Sequence, residues 1–119
     1  MRIIVGVDGT DRGMKTLDAA VKRARAMDDE LTVAVYTEKG PLTPVEERVN
    51  QRLAELDVDV PVELLEDSPG GTLVSRAEQD EYDCIVLPGG DRSPLGKIQF
   101  DSTVEFVLLN ARTSVTLIR

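Results

Sequence analysis

The sequence predicts an α/β domain built on an open five-stranded parallel sheet, order 3-2-1-4-5, with helices on both faces. Three observations predict it. Short apolar runs rich in β-branched residues alternate, along the whole chain, with segments whose apolar residues recur every three or four positions. Five such runs and four such segments can be read in the sequence, the alternation that covers a parallel sheet on both sides. The 119 residues suffice for one core and one domain, 1–119. Right-handed crossovers then limit the topologies.

The first strand is RIIVGV (2–7), closed by Asp8-Gly9-Thr10. Met14, Leu17, Val21, Ala24 and Met27 follow on one helix face, with Lys22, Arg23 and Arg25 turned to water. LTVAVY (31–36) is the second strand. Thr43-Pro44-Val45-Glu46 reads as a helix start: a threonine cap, a proline in the first turn and a glutamate closing a capping box. Its buried stripe is Val45, Val49, Leu53 and Leu56. VDVPVELL (58–65) is the third strand, and Pro61 within it suggests a sheet edge, where a missing N–H does no harm. Ser68-Pro69 opens the third helix, with Leu73, Val74 and Ala77 inward. DCIVLP (83–88) is the fourth strand. Ser102-Thr103-Val104-Glu105 is a second capping box, with Ser102 as the cap, and Val104, Val107, Leu108 and Ala111 form the stripe behind it. SVTLI (114–118) is the fifth strand. The connection from Pro88 to Asp101 is long for so tight a plan, and such loops are more often functional than idle.

Composition narrows the chemistry. A net charge of −8 argues against nucleic acid, whose backbone asks for a basic face. The same acidity keeps a surface hydrated where salt screens charge, which suits a salt-rich cytoplasm. No apolar run approaches the ~20 residues of a membrane span, and the chain starts on a strand with no room for a signal peptide; both point to a cytoplasmic location. The chain has no histidine and one cysteine. Zinc sites and histidine acid–base catalysis are thereby nearly excluded, and Cys84, inside CIVL, reads as a small buried hydrophobe. No residue can be named as the engine of a catalysed reaction.

In an open parallel sheet, ligands bind beyond the carboxyl ends of the strands, where neighbouring connections diverge. Strands one and four are neighbours in the expected order, so Val7-Asp8-Gly9-Thr10 and the stretch from Pro88 to Thr103 should line one cleft. Asp8 either turns the chain into the first helix or accepts a hydrogen bond from a ligand amine. Ser102 stands where free N–H groups and the helix dipole favour an anion. The span from Gly90 to Ile98 is not a P-loop. Five residues separate Gly90 from Gly96 where four are needed, Pro94 removes a donor, and Ile98 follows Lys97 where a hydroxyl should meet magnesium.

The whole chain resembles the universal stress protein family. VGVDGT, the helix opening DSPGGTLVSRA, DCIVLPGG and the closing FDSTVEFVLLNARTSVTLI carry the resemblance, in that order. It implies the adenine nucleotide alpha hydrolase-like arrangement, with flavodoxin-like layering. The ligand it implies is ATP or another adenine nucleotide, with Mg2+ able to bridge phosphate and carboxylate. The site it implies holds the base at Gly6, Val7 and Asp8, and Tyr36, Leu87 and Gly89 count among its nucleotide-binding residues. Gly90, Arg92, Lys97, Ser102 and Thr103 would meet the phosphates. Pro88, Asp91 and Asp101 occupy positions where nucleotide-binding members carry glycine, and Asp101 would set a carboxylate at the mouth of the last helix, an alternative to Ser102 as its cap and an occupant of the anion site. A member of the same fold that acts without nucleotide, as a dimeric interaction or signalling module, is therefore the second reading. A phosphate-transfer receiver domain is an outsider, because Asp8 and Asp11 are a poor substitute for its acidic cluster. The resemblance also implies a homodimer through strand 114–118.

Overall fold

The computed structural model describes residues 1–92 and 94–119, with Asp91 and Arg92 described by their backbone alone. The chain runs β1 (Arg2–Val7), α1 (Asp11–Met27), β2 (Glu30–Val35), α2 (Thr43–Glu55), β3 (Val62–Leu64), α3 (Pro69–Gln79), β4 (Cys84–Pro88), β5 (Asp91–Arg92), β6 (Ile98–Gln99), α4 (Ser102–Asn110) and β7 (Ser114–Ile118). The main sheet is parallel, in the order β3-β2-β1-β4-β7. This is the expected 3-2-1-4-5 arrangement. The last strand is the seventh because the connection after β4 is a small antiparallel hairpin, β5 with β6, where the sequence suggested only a loop.

Alternation along each strand builds two cores, because successive side chains point to opposite faces. Ile3, Val5 and Val7 of β1, Val33 and Val35 of β2, and Cys84 and Val86 of β4 pack against α1 and α2. Ile4, Ala34, Ile85 and Leu87 face the other way, against Leu73 and Ala77 of α3 and Val104 and Val107 of α4. Cys84 is free and buried, as a small hydrophobe would be.

Several local expectations are corrected. The α1 stripe ends at Ala24; Met27 is 65% exposed, the last helical residue before the chain reverses at Asp28 with φ 55. The capping box at α2 does not form. Leu42 is already in the right-handed helical region, so Thr43 and Pro44 lie inside the first turn and no side chain caps the helix. A cap needs an extended backbone at that position. The third strand is only Val62–Leu64, at the sheet edge that Pro61 implied. Its preceding residues lack a full ladder partner, although the Pro61 carbonyl still accepts from Val33 N at 2.9 Å. Ser68 opens α3 with φ 43 and no side-chain cap bond. At α4 the cap is Asp101, one residue before the expected Ser102. On that helix Leu108 is 40% exposed and leaves the buried stripe.

Candidate functional site

The chain order places the crevice between β1 and β4. From β1 the chain leaves to α1 on one face; from β4 it leaves, through the hairpin, to α4 on the other. Their carboxyl ends therefore border the switch point of the sheet.

Asp8 follows β1 and is held locally. Its Oδ1 accepts from Thr10 Oγ1 at 2.7 Å and from Thr10 N at 3.2 Å. Thr10 in turn caps α1 by accepting from Gly13 N at 3.0 Å. A Cβ at Gly13 would overlap the Asp8 carboxylate, so this helix must start with a glycine there for Asp8 to sit where it does. Gly13 escaped sequence reading because no spacing rule marks it.

Tyr36 follows β2. Its ring is fully buried and its hydroxyl donates to Asp101 Oδ2 at 2.9 Å. The other oxygen of Asp101 accepts from Val104 N at 2.7 Å and so caps α4. Burial, and then the negative charges of Asp101 and Asp8, push the Tyr36 phenol far above its ordinary range, so it remains a donor. Burial also pushes the Asp101 carboxyl up, against the hydrogen bonds from Val104 N and Tyr36; the charges of Glu38 and Asp8 add to the rise. Asp8 and the start of α4 thus converge on one rim, as the predicted strand order requires.

Glu38 completes the rim, and sequence reading missed it. Its carboxylate accepts from Ser102 Oγ at 2.6 Å and from Thr103 N at 3.0 Å. Burial acts to raise Glu38, but these bonds outweigh it and hold the carboxyl below the usual range. The positive end of the α4 dipole favours the same placement. The only signal in the sequence was an acid two residues past a buried strand, which does not say where it points.

The remaining candidates divide by what their atoms already do. Val7 and Leu87 are fully buried and Gly6 packs against Leu87, so these side chains belong to the two cores. Gly89 N donates to Ile118 O at 2.6 Å, and a side chain at Gly89 would press on Ile118 and Arg119. A Cβ at Gly90 would overlap the Gln99 carbonyl of the hairpin. Lys97 is exposed on that hairpin. The Arg92 side chain lies outside the described residues.

Beside Glu38 opens a cleft of about 570 Å³, lined among others by Thr37, Ser68, Gly70, Ser102 and Phe106. It joins the first turns of α3 and α4. The volume falls within the range of small-molecule sites. A second cleft of about 520 Å³ lies between α1 and α2, but its charges satisfy one another: Arg48 pairs with Asp11 at 2.8 Å and Arg52 with Asp18 at 2.8 Å. Among the described residues no group of three acidic or cysteine side chains is placed to hold a metal ion. No helix of the described residues is long and apolar enough to cross a membrane.

For an adenine nucleotide, the two ends of the rim differ. The end of β1 offers a carboxylate, Asp8, one oxygen of which already accepts from Thr10. The phosphate end does not fit as it stands, because Glu38 holds the hydroxyl and the N–H that open α4.

Known proteins resemble the chain throughout. A universal stress protein of Synechocystis sp. is 32% identical over 99 residues, covering 78% of this chain and 91% of its own. One from Methanocaldococcus jannaschii is 23% identical over 138 residues, covering 99% and 81%. Among solved structures, a universal stress protein from Archaeoglobus fulgidus superposes with TM-score 0.78 at 24% identity, covering 100% of this chain and 98% of its own. A complex of the universal stress protein from Archaeoglobus fulgidus with dAMP gives 0.72 at 21% identity, covering 100% and 98%. A universal stress protein in complex with cAMP gives 0.73 at 22% identity, covering 100% and 96%. Residues 1–119 match the universal stress protein family as a whole, and the chain belongs to that family.

Proposed function

We propose that the protein binds an adenine nucleotide or its nucleoside at the rim formed by Asp8, Tyr36 and the start of α4. The observation that carries this reading is the meeting of two turns far apart in the chain at the switch point of the sheet. The Asp8 turn and the α4 cap both act on Tyr36. Complexes of similar folds with dAMP and cAMP support the choice of base. Asp8 accepts from the base, and the cleft beside Thr37 and Ser102 takes the sugar. ATP is the family-level candidate, and Mg2+ would accompany it. Calorimetric titration with AMP, dAMP and ATP, with and without Mg2+ in high salt, is the test. Saturable binding is expected for AMP, reduced about tenfold or more in Asp8→Ala by loss of a charge-assisted hydrogen bond. No heat with any adenine ligand at millimolar concentration would end this reading.

The second reading, a dimeric interaction module that works without nucleotide, is favoured by the bonds from Ser102 and Thr103 to Glu38. In both readings the chain pairs with a second copy along β7. Among the described residues that strand is an edge of the sheet, paired with β4 on one side, and α4 just before it exposes Phe106, Leu108 and Leu109, the last at 76%. An open edge with adjacent apolar surface favours strand-to-strand pairing. Equilibrium sedimentation at high micromolar concentration is expected to give a dimer mass. Monomer alone under those conditions would remove the dimer from both readings.

A further inference from the structure

We propose that Glu38 sets the ligand's charge: it is an internal competitor for the phosphate, so the site prefers an adenine ligand with an uncharged end. This rests on the reading of the rim as an adenine-ligand site. Glu38 and its two donors lie 64 and 65 residues apart in the chain, so nothing local forces them together. Both Glu38 oxygens accept from the start of α4. One bond comes from a hydroxyl and another from a main-chain N–H of the first turn of α4, which are the types of donor a phosphate oxygen would use there. A carboxylate in that seat satisfies the same dipole that would favour the phosphate.

The surroundings strengthen the exclusion. Asp101, beside Glu38, is itself half-buried and its second oxygen is used by Tyr36. Asp8 adds a third negative charge felt at Asp101 and Tyr36. A phosphate entering here must displace one carboxylate and sit close to two others, and repulsion between like charges grows where water is excluded. A nucleoside hydroxyl meets none of this: it carries no charge and asks for neither Ser102 nor Thr103, so both stay engaged with Glu38. The remainder of the Glu38 side chain is exposed, so it can swing into water without breaking the core. Its removal should therefore alter ligand choice and leave the fold intact.

The experiment compares adenosine, AMP and ATP on the wild-type chain, Glu38→Ala and Glu38→Gln, by calorimetry in high salt. The wild type is expected to bind adenosine at least as tightly as AMP, and AMP more tightly than ATP. Both variants should tighten AMP by about ten- to a hundredfold, the worth of a charged hydrogen-bond pair released to the ligand. Adenosine should change by less than about twofold, because it makes no demand on those donors. A parallel titration follows the Thr103 amide by NMR with inorganic phosphate alone. Phosphate should shift it in Glu38→Ala and not in the wild type.

An AMP-to-adenosine affinity ratio equal in all three proteins overturns the proposal while leaving the adenine-binding reading in place. Weaker AMP binding in Glu38→Ala also overturns it, since Glu38 would then contact the ligand. If no adenine ligand binds any of the three proteins, the proposed function fails; an unmoved Thr103 amide in the same variant would then remove the competition as well.

Discussion

Leu87→Ala should lower the stability of the fold by about 2–5 kcal/mol, measured by urea unfolding, the range for a fully buried leucine cut to alanine. Against the ~5–15 kcal/mol that holds a domain of this size together, that is a large loss. Leu87 is inaccessible to water and sits in the core between the sheet and α3 and α4. Its Cδ2 atom lies 2.6 Å from the place a Cβ at Gly6 would take, with Leu73 Cδ1 and the Tyr36 ring carbon Cε1 each at 3.4 Å. Gly6→Ala alone should therefore also destabilise, because Leu87 must move in a filled core. In the Leu87→Ala background the added methyl enters the space the leucine has left. The double mutant is expected to be more stable than the sum of the two losses by about 1 kcal/mol or more. Strict additivity would mean that Gly6 and Leu87 do not share that space, and that the residues flanking the rim are positioned by something else.

The second large effect concerns Asp101. Asp101→Ala removes the cap of α4 and leaves the buried Tyr36 hydroxyl without its acceptor. The expected cost at neutral pH is about 1–3 kcal/mol, the lost cap and the stranded hydroxyl being partly offset by the removal of a buried charge. Replacing this residue to admit a phosphate thus carries a structural cost that the sequence did not reveal. Asp101→Asn keeps an acceptor for Val104 N, sets an amide NH2 against the Tyr36 hydroxyl, which can accept from it, and removes the charge, so its signature lies in pH.

The Asp101 carboxyl is raised in the folded state, chiefly by burial. Where pH rises from the ordinary carboxyl range through that raised value, the folded chain holds a proton that the unfolded chain has given up. Its contribution to stability is full below the ordinary range and is lost across this window. Glu38 acts in the opposite sense: its lowered carboxyl stabilises the fold above the ordinary range and loses that contribution as pH falls. Asparagine at 101 removes the first effect and leaves Glu38 its bonds from Ser102 and Thr103. Unfolding curves at about pH 4 and pH 7 should therefore show Asp101→Asn gaining on the wild type as pH rises. A stability difference that does not change with pH would show that burial does not penalise the Asp101 charge.

Much of the architecture was legible because it depends on period. RIIVGV, LTVAVY and CIVLP could be recognised as doubly covered strands, since both faces of each are apolar, and handed crossovers limit the strand orders open to them. Cap identities were less legible. Ser102 and Asp101 are both good capping residues, and a capping box cannot tell which of two adjacent acceptors the backbone will set in the extended region. The hairpin after β4 was hidden because two-residue strands have too little pattern to detect.

By itself the sequence determined the layered parallel sheet, the edge position of the proline-bearing strand and the rim on which Asp8 and the last helix meet. Only the tertiary structure decided how that rim is filled. Glu38 reaches Ser102 and Thr103 across more than half of the chain's length. Gly13 makes room for Asp8, and Tyr36 ties the end of β2 to the cap of α4. The physical reason is one of range. Backbone periodicity and turn chemistry act between near neighbours and can be read in order, whereas a carboxylate's partner is settled by which donors the finished fold leaves within 3 Å of it.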